Sequence, residues 1–348
     1  AGLSFTSPAL ELILPAGISF YLFMAAGYLI DVYRGNRPAE RSFLLFALFL
    51  SFFPYLLSGP IGRADTLLPQ FREPHRFSYD GFRSGLLRFL WGAFKKLVIA
   101  DRLGMLVTTV YAAPDQFGRL QVIAAAAAFS IQIYCDFSAY SDMALGCAQV
   151  LGFRLMENFR TPYFSRSIGE FWRRWHMTLS GWFREYVYIP LGGNRKGLKR
   201  QIFNLFVVEL LTGIWHGANW NFICWGLYYF VLLAVEKLFL LPHLQKGRVW
   251  PHIYTLFLVV VGWAMFVGND TGVSFGLLFH KLFVPSGGVS PLYFLRNYGV
   301  LLVVSILCCT PFIEKIWNLL KKNAVTRCTA ILALLVVSTA YVVGSTNS

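Results

Sequence analysis

The sequence predicts an all-α protein that crosses a membrane several times, and three observations predict it. The 348-residue chain is 56% hydrophobic and only 14% charged, where a soluble domain carries about a quarter charged residues. Its mean hydropathy is positive. Several windows approach the roughly 20 apolar residues that span a hydrocarbon layer. Nucleic-acid binding is excluded for a chain this apolar. With no repeat, low-complexity tract or flexible linker, residues 1–348 read as a single domain. Residues 1–20 lack the basic start and small-residue cleavage site of a signal peptide. The abrupt opening Ala1-Gly-Leu-Ser leads us to expect part of something longer.

Apolar stretches run over about 10–31, 42–58, 86–112, 118–135, 138–153, 201–222, 225–241, 253–268, 297–312 and 328–344. Basic residues cluster at 34–41, 63–102, 154–200, 237–248 and 315–327. Lys and Arg are biased to the cytoplasmic side, so the apolar stretches between clusters should come in pairs. Those at 118–153, 201–241 and roughly 253–312 do, the last placing Asn269 and Asp270 outside. The 42–58 stretch stands alone, contains Pro54 and ends in Ser58-Gly-Pro. It is either re-entrant, or flanked by one outer cluster. Broken backbone at membrane depth is tolerated only inside protein or beside a wet cavity.

The 159–200 region is neither a clean span nor a soluble loop. Pro162 disfavours helix at the residue before it, which predicts an extended Phe159–Phe164. Ser167 and Glu170 have the spacing of a capping box. Trp172, Trp175, Trp182, Phe183, Tyr186 and Tyr188 then interleave with Arg173, Arg174 and Arg184, a mixture suited to the membrane interface. Residues 154–200 hold ten Arg or Lys against three Glu. They either set orientation or form a platform for an anionic donor or lipid head groups. Ile189-Pro-Leu-Gly-Gly-Asn-Arg195 reads as a tight turn, whose amides could alternatively cradle an anion.

Two of the six histidines stand out. His216 lies in the apolar run Leu210-Leu-Thr-Gly-Ile-Trp-His-Gly-Ala-Asn-Trp220, and His176 in Phe171-Trp-Arg-Arg-Trp-His-Met-Thr-Leu-Ser180. An ionisable group at membrane depth is costly and marks a functional site by default. Helical spacing places Glu209, Gly213, His216 and Trp220 on one face, and Gly213 with Gly217 forms a small-residue pair for close helix packing. A third polar group sits in Gln132-Ile-Tyr-Cys-Asp-Phe-Ser-Ala-Tyr-Ser-Asp142. There Asp136 either holds a charge partner, such as an arginine of 166–184, or lines a polar path. The six cysteines show no metal-ligand spacing, so no disulfide framework, metal or bound cofactor is expected. Two intramembrane imidazoles without further ligands point instead to general acid–base work.

These motifs, in order, resemble those of the membrane-bound O-acyltransferase family, in particular its bacterial branch of alginate and peptidoglycan O-acetyltransferases. The likeness also rests on Leu14-Pro-Ala-Gly-Ile-Ser-Phe20, Tyr28-Leu-Ile-Asp-Val-Tyr-Arg-Gly35, Gly59-Pro-Ile-Gly-Arg63, Leu68-Pro-Gln-Phe71, Glu157-Asn-Phe-Arg-Thr-Pro-Tyr163 and Tyr188-Ile-Pro-Leu-Gly-Gly-Asn194. It covers about residues 12–230, with a catalytic core at about 130–230. Ile189–Asn194 favours this branch over the sister branch that exports D-alanine to teichoic acids.

The resemblance implies a ring of tilted transmembrane and re-entrant helices around a central tunnel. His216 takes the family histidine position and His176 the second catalytic position. Arg173, Arg174, Trp175, Ser180, Trp215, Asn219 and Asp136 are the expected substrate-binding residues. The donor would be a cytoplasmic acyl thioester, acetyl-CoA above others. The acceptor would be a hydroxyl on, or destined for, an extracytoplasmic polysaccharide, reached through a partner acetyltransferase or acceptor protein. A bacterial cytoplasmic membrane and contact with its lipids follow. In this scheme His216 takes the hydroxyl proton and His176 polarises the thioester carbonyl, or the two exchange roles, while nearby tryptophans exclude water. The rivals are a lipid acyltransferase of the same family and a transporter with a histidine proton relay. Transporters often show internal repeats, and none is visible here.

Overall fold

The computed structural model describes residues 17–56, 58–217, 219–271, 275–281, 283 and 291–346. Leu14–Ala16 of the first motif lie outside them, as does Ala218. Among the described residues the ordered structure is helical, with no strand. Helices α1 (Ile18–Tyr33), α2 (Phe43–Ser51), α3 (Phe53–Leu56) and α4 (Ala64–Arg72) open the chain. Then come α5 (Tyr79–Phe94), α6 (Asp101–Ala112), α7 (Arg119–Val150), α8 (Ile168–Trp172) and α9 (Met177–Phe183). Helices α10 (Gly197–His216), α11 (Trp220–Val235), α12 (Leu241–Lys246) and α13 (Trp250–Thr271) follow. The chain closes with α14 (Phe275–Lys281), α15 (Pro291–Cys308), α16 (Phe312–Leu320) and α17 (Ala324–Thr346).

Four helical stretches among the described residues are long and apolar enough to cross a membrane: Arg119–Val150, Trp220–Lys246, Trp250–Val267 and Ala324–Gly344. The pair α15–α16 makes a fifth if its 85° bend is counted within one span. Large apolar side chains such as Leu29, Phe257, Val300 and Val336 are exposed on the outside, as a lipid-facing surface requires. This is a multi-pass membrane protein.

One pairing expected from the sequence is absent. Stretches 118–135 and 138–153 are a single 32-residue helix, α7, about 48 Å long at 1.5 Å per residue. Asp136 and Asp142, in its C-terminal half, do not break it because cations from a neighbouring helix meet them. Between α5 and α6 the chain makes a π-helical turn, Lys95–Ala100, and such turns recur at functional sites. From this turn Lys95 reaches Asp142 at 2.7 Å and Lys96 reaches Asp136 at 2.6 Å. Arg88 of α5 adds contacts to Asp142 at 3.0 Å and Glu157 at 2.6 Å. Charge pairing thus keeps a polar helix continuous in an apolar protein.

The 42–58 stretch is broken, as its proline and glycine predict. Helix α2 ends at Ser51 and α3 is a single turn. Ser58 then takes a left-handed conformation at φ 56°, and Gly59 to Ile61 run buried beneath the α9 segment. The amide of Ile61 donates to the Thr178 hydroxyl at 3.0 Å, so buried irregular backbone finds a partner inside the protein.

Helix α13 runs through Asn269 and Asp270, whose side chains lie outside the described set. The expected extension at 159–164 is not found. Thr161 is left-handed at φ 41° and Pro162–Phe164 form a 3₁₀ turn. Proline's bias against α at the preceding residue is met by a left-handed residue instead of an extended one.

Candidate active site

Helix α8 starts as its sequence predicts, with the Ser167 hydroxyl accepting the Glu170 amide at 3.0 Å. A second acceptor comes from far along the chain. Glu236, on a π-helical turn after α11 (Glu236–Leu240), accepts the amides of Ile168 at 2.6 Å and Gly169 at 3.0 Å. The short helix is thereby pinned to α11, and the turn after it delivers His176.

His176 precedes α9 and has φ 44° and ψ 53°, left-handed values rare for a side-chain-bearing residue. Such a residue costs of order 1–3 kcal/mol and persists only where its surroundings hold it. Here they do. The Met177 amide donates to the Asn158 carbonyl at 2.9 Å, and the Arg160 amide to the Arg174 carbonyl at 2.9 Å. The imidazole is buried at 2% exposure and its Nδ1 lies 3.1 Å from Asn158 Oδ1. Its Nε2 is buried with no hydrogen-bond partner among the described residues.

His216 is the last residue of α10, not a mid-helix residue as the unbroken spacing implied. Gly217 has φ 153° and ψ 162°, a region essentially reserved for glycine, and it turns the chain into α11. Trp220 therefore begins the next helix and is 77% exposed, off the face of Glu209 and Gly213. The small-residue pair also differs from the expected Gly213 with Gly217. A Cβ on Gly213 would stand 2.6 Å from the Phe222 carbonyl oxygen, and one on Gly226 would stand 2.4 Å from that of Glu209. Gly213 and Gly226 thus form the close crossing of α10 and α11, and this crossing positions His216. Its ring meets Trp225 and Phe266 edge-on, both at 5.1 Å between centroids.

The two imidazoles meet one indole. The Trp215 ring lies 6.2 Å from that of His176 and 4.6 Å from that of His216. Two segments forty residues apart in sequence are thus brought to one place. Phe137 packs edge-on against His176 at 4.7 Å, and Phe20 contacts both His176 and Trp215. The surroundings are aromatic and apolar, which suits a reaction that must exclude water.

Two cavities are lined by neighbours of this group, though not by His176, His216 or Trp215 themselves. One of about 400 Å³ is lined by Arg173, Ser180, Arg184, Glu209, Thr212 and Glu236, among others. Thr212 is one turn before His216 on α10. The other, about 570 Å³, lies between α5, α7 and α16 and includes Arg88, Lys95, Ser141 and Asn158.

Of the residues expected to bind substrate, Arg173 and Ser180 share the first cavity, and Trp215 joins the histidines. The others are held in local structure. Arg174 pairs with Glu170 at 2.6 Å, and Trp175 is buried in an aromatic core against Phe171, Phe159 and Trp263. Asn219 caps α11, its Oδ1 accepting the Asn221 amide at 3.1 Å, at an exposed position. Asp136 has a charge partner, but it is Lys96 rather than an arginine of 166–184. At 189–195 two of the three amides that could cradle an anion, those of Gly192 and Gly193, donate to main-chain carbonyls, as in a plain turn. Among the described residues no three His, Cys, Asp or Glu side chains gather as metal ligands, and the six cysteines are free.

Sequence reasoning assigned no role to Asn158, Thr178 or Glu236. The first two lie in quoted motifs, Glu157–Tyr163 and Phe171–Ser180, and only the fold reveals that these motifs touch.

Comparison with known proteins agrees with the motif reading. The model of the membrane-bound O-acyltransferase family matches residues 37–275. A probable alginate O-acetylase AlgI of Pseudomonas putida is 44% identical over 265 residues, covering 76% of this chain and 54% of that protein. The peptidoglycan O-acetyltransferase of Helicobacter pylori is 35% identical over 287 residues, covering 74% and 54%. The teichoic acid D-alanyltransferase of Bacillus subtilis is more distant, 27% identical over 241 residues, covering 67% and 61%. The chain spans about half the length of the alginate and peptidoglycan relatives it matches. With a family model over most of its length and such relatives, the chain belongs to the membrane-bound O-acyltransferase family.

Proposed function

We propose that this chain carries the acyl-transfer site of a membrane O-acetyltransferase of the bacterial cytoplasmic membrane. It would move an acetyl group from a cytoplasmic thioester, acetyl-CoA, to a hydroxyl acceptor or partner protein, for O-acetylation of an extracytoplasmic polysaccharide such as alginate or peptidoglycan. The convergence of His176 and His216 on Trp215 carries the proposal. Two imidazoles in an apolar, water-poor setting suit proton transfer between a hydroxyl and a departing thiolate.

In this reaction one histidine takes the hydroxyl proton as the oxygen attacks the thioester carbonyl. The carbon–oxygen bond forms, the tetrahedral intermediate collapses and the carbon–sulfur bond breaks. The proton then returns to the thiolate. The other histidine hydrogen-bonds the carbonyl oxygen as negative charge develops on it. The cavity holding Arg173, Arg184 and Ser180 lies in the basic 154–200 region, and it suits the phosphates and pantetheine arm of the donor. The relatives named for alginate and peptidoglycan acetylation support the polysaccharide reading.

The test is transfer of a labelled acetyl group from acetyl-CoA in membranes carrying the full-length protein and its native acceptor system. His216→Ala is expected to lose about 10²–10⁴-fold in rate, the usual loss for an acid–base group. Near-normal transfer by a correctly inserted H216A protein would overturn the assignment.

A further inference from the structure

The hydrogen bonds around Asn158 decide which nitrogen of His176 is free to act. Asn158 Oδ1 receives the Thr178 amide at 3.3 Å and the Thr178 hydroxyl at 2.9 Å. A backbone amide can only donate, so the atom facing it is the carbonyl oxygen and not the NH₂ group. The hydroxyl's own direction is fixed in turn. The Ile61 amide donates to Thr178 Oγ1 at 3.0 Å, leaving the hydroxyl hydrogen for Asn158. On its other side Asn158 Nδ2 donates to Ser141 Oγ at 3.2 Å. Two backbone amides, from residues more than a hundred positions apart, therefore set one side-chain amide in one orientation.

Asn158 Oδ1 also faces His176 Nδ1 at 3.1 Å. An oxygen of this kind can only accept, so Nδ1 carries the proton. In the neutral ring Nε2 is then the bare nitrogen, and it is this nitrogen that is buried with no partner among the described residues. A buried acceptor left unsatisfied is costly and calls for an explanation. A substrate hydroxyl supplies one.

We infer that Asn158 is a positioning residue of the acyl-transfer site, holding His176 as the Nδ1–H tautomer so that its Nε2 lone pair takes the proton of the attacking hydroxyl. This rests on the acyltransferase reading above and assigns one of its roles. His176 then acts as a proton acceptor, where the sequence first led us to expect it to polarise the carbonyl. The hydroxyl O–H bond breaks as oxygen bonds the acyl carbon. The proton rests on His176 Nε2 and passes to the sulfur when the carbon–sulfur bond breaks. The left-handed backbone at His176 fits the same purpose, since it turns the ring toward Asn158 at the end of a pinned segment.

The experiment compares H176A, N158A and N158D with the unmodified protein in membranes, by acetyl transfer from labelled acetyl-CoA across a pH series. N158A frees the ring to take the other tautomer. It should lose about a hundredfold in kcat, at the lower end of the range for an acid–base group, with the KM for acetyl-CoA unchanged. N158D keeps an acceptor against Nδ1 and adds a negative charge that favours the imidazolium. Ser141 can turn its hydroxyl to donate to the new oxygen, so this variant should fold. Because the base must be unprotonated to act, the low-pH limb of the rate profile should move to higher pH. N158D should also recover most of the kcat lost in N158A. If N158A turns over normally, or a folded N158D keeps the wild-type limb, Asn158 has no such role. Should N158A fail to fold, N158D alone decides. H176A separates the two levels: full activity there defeats the acyltransferase assignment of His176, whereas an inactive H176A beside unaffected Asn158 variants defeats only this inference.

Discussion

Gly213→Ala probes how tightly the fold holds His216. The added Cβ would stand 2.6 Å from the Phe222 carbonyl oxygen, where ordinary contact begins at 3.4 Å. The start of α11 must therefore withdraw by about 0.8 Å, and displacements near 1 Å cost roughly a hundredfold when they disturb reacting groups. Stability should change less. Alanine gains about 1 kcal/mol of helix propensity over glycine, against about 1–3 kcal/mol for overpacking. The same movement carries Phe222 and Trp225 away from the His216 ring, which they now meet at 5.8 and 5.1 Å. A hundredfold loss of rate corresponds to about 2.7 kcal/mol in the barrier, so catalysis should fall while the fold survives. The assay is acetyl transfer in membranes at matched protein level, with the Tm in detergent as the folding control. Gly344→Ala, where a Cβ meets nothing within 4 Å, should transfer at the normal rate. A folded G213A protein with wild-type transfer would refute the argument that this crossing sets the histidine.

Other consequences follow from the charges. Asp142→Asn removes the negative charge that answers the buried Lys95 ammonium, which the Ser138 hydroxyl at 2.7 Å does not replace, and should destabilise by about 3 kcal/mol, the lower end for a broken buried pair. The double variant K95M/D142N should regain part of that loss in Tm, and no regain would mean that the pair is not coupled. Glu236→Ala strips the acceptor from two amides of α8 and should cost about 3 kcal/mol, at about 1–3 kcal/mol for each unsatisfied donor. Glu236→Gln, which keeps one acceptor, should cost less, and equal losses would place the effect elsewhere. Arg173→Ala should raise the KM for acetyl-CoA several-fold with kcat little changed, the pattern of lost ground-state binding. An unchanged KM would remove Arg173 from the donor site.

The membrane class and most helices were legible because apolar composition and length speak directly to the bilayer. The break at 51–59 was legible too, since Pro54 and Ser58-Gly-Pro cannot continue a helix. Helix α7 was not. Its carboxylates at 136 and 142 looked like an interruption, and their partners Lys95 and Lys96 come from a π-helical turn that leaves no mark in the hydrophobic pattern. Gly217 was read as part of a helical face because spacing alone cannot tell a packing glycine from one that adopts a glycine-only conformation.

The candidate site was half legible. His176 and His216 stood out as costly ionisable groups, and the structure joins them through Trp215. Asn158 was hidden for a physical reason. A polar residue's worth depends on what it faces, and its partners at positions 141, 176, 177 and 178 are gathered only by folding. Arg174, Trp175, Asn219 and Asp136 have the residue types of a binding site, but the structure shows each engaged in local pairing or packing.

If His176 and His216 act in one proton-transfer event, a double-mutant cycle must show it. Acetyl transfer would be measured for H176A, H216A and the double variant in membranes with the native acceptor system. Residues that act as a unit are strongly non-additive. Each single variant should lose about 10²–10⁴-fold, and the double variant should be no slower than the worse single one. If the two losses multiply, the histidines work at separate steps and the shared site is contradicted.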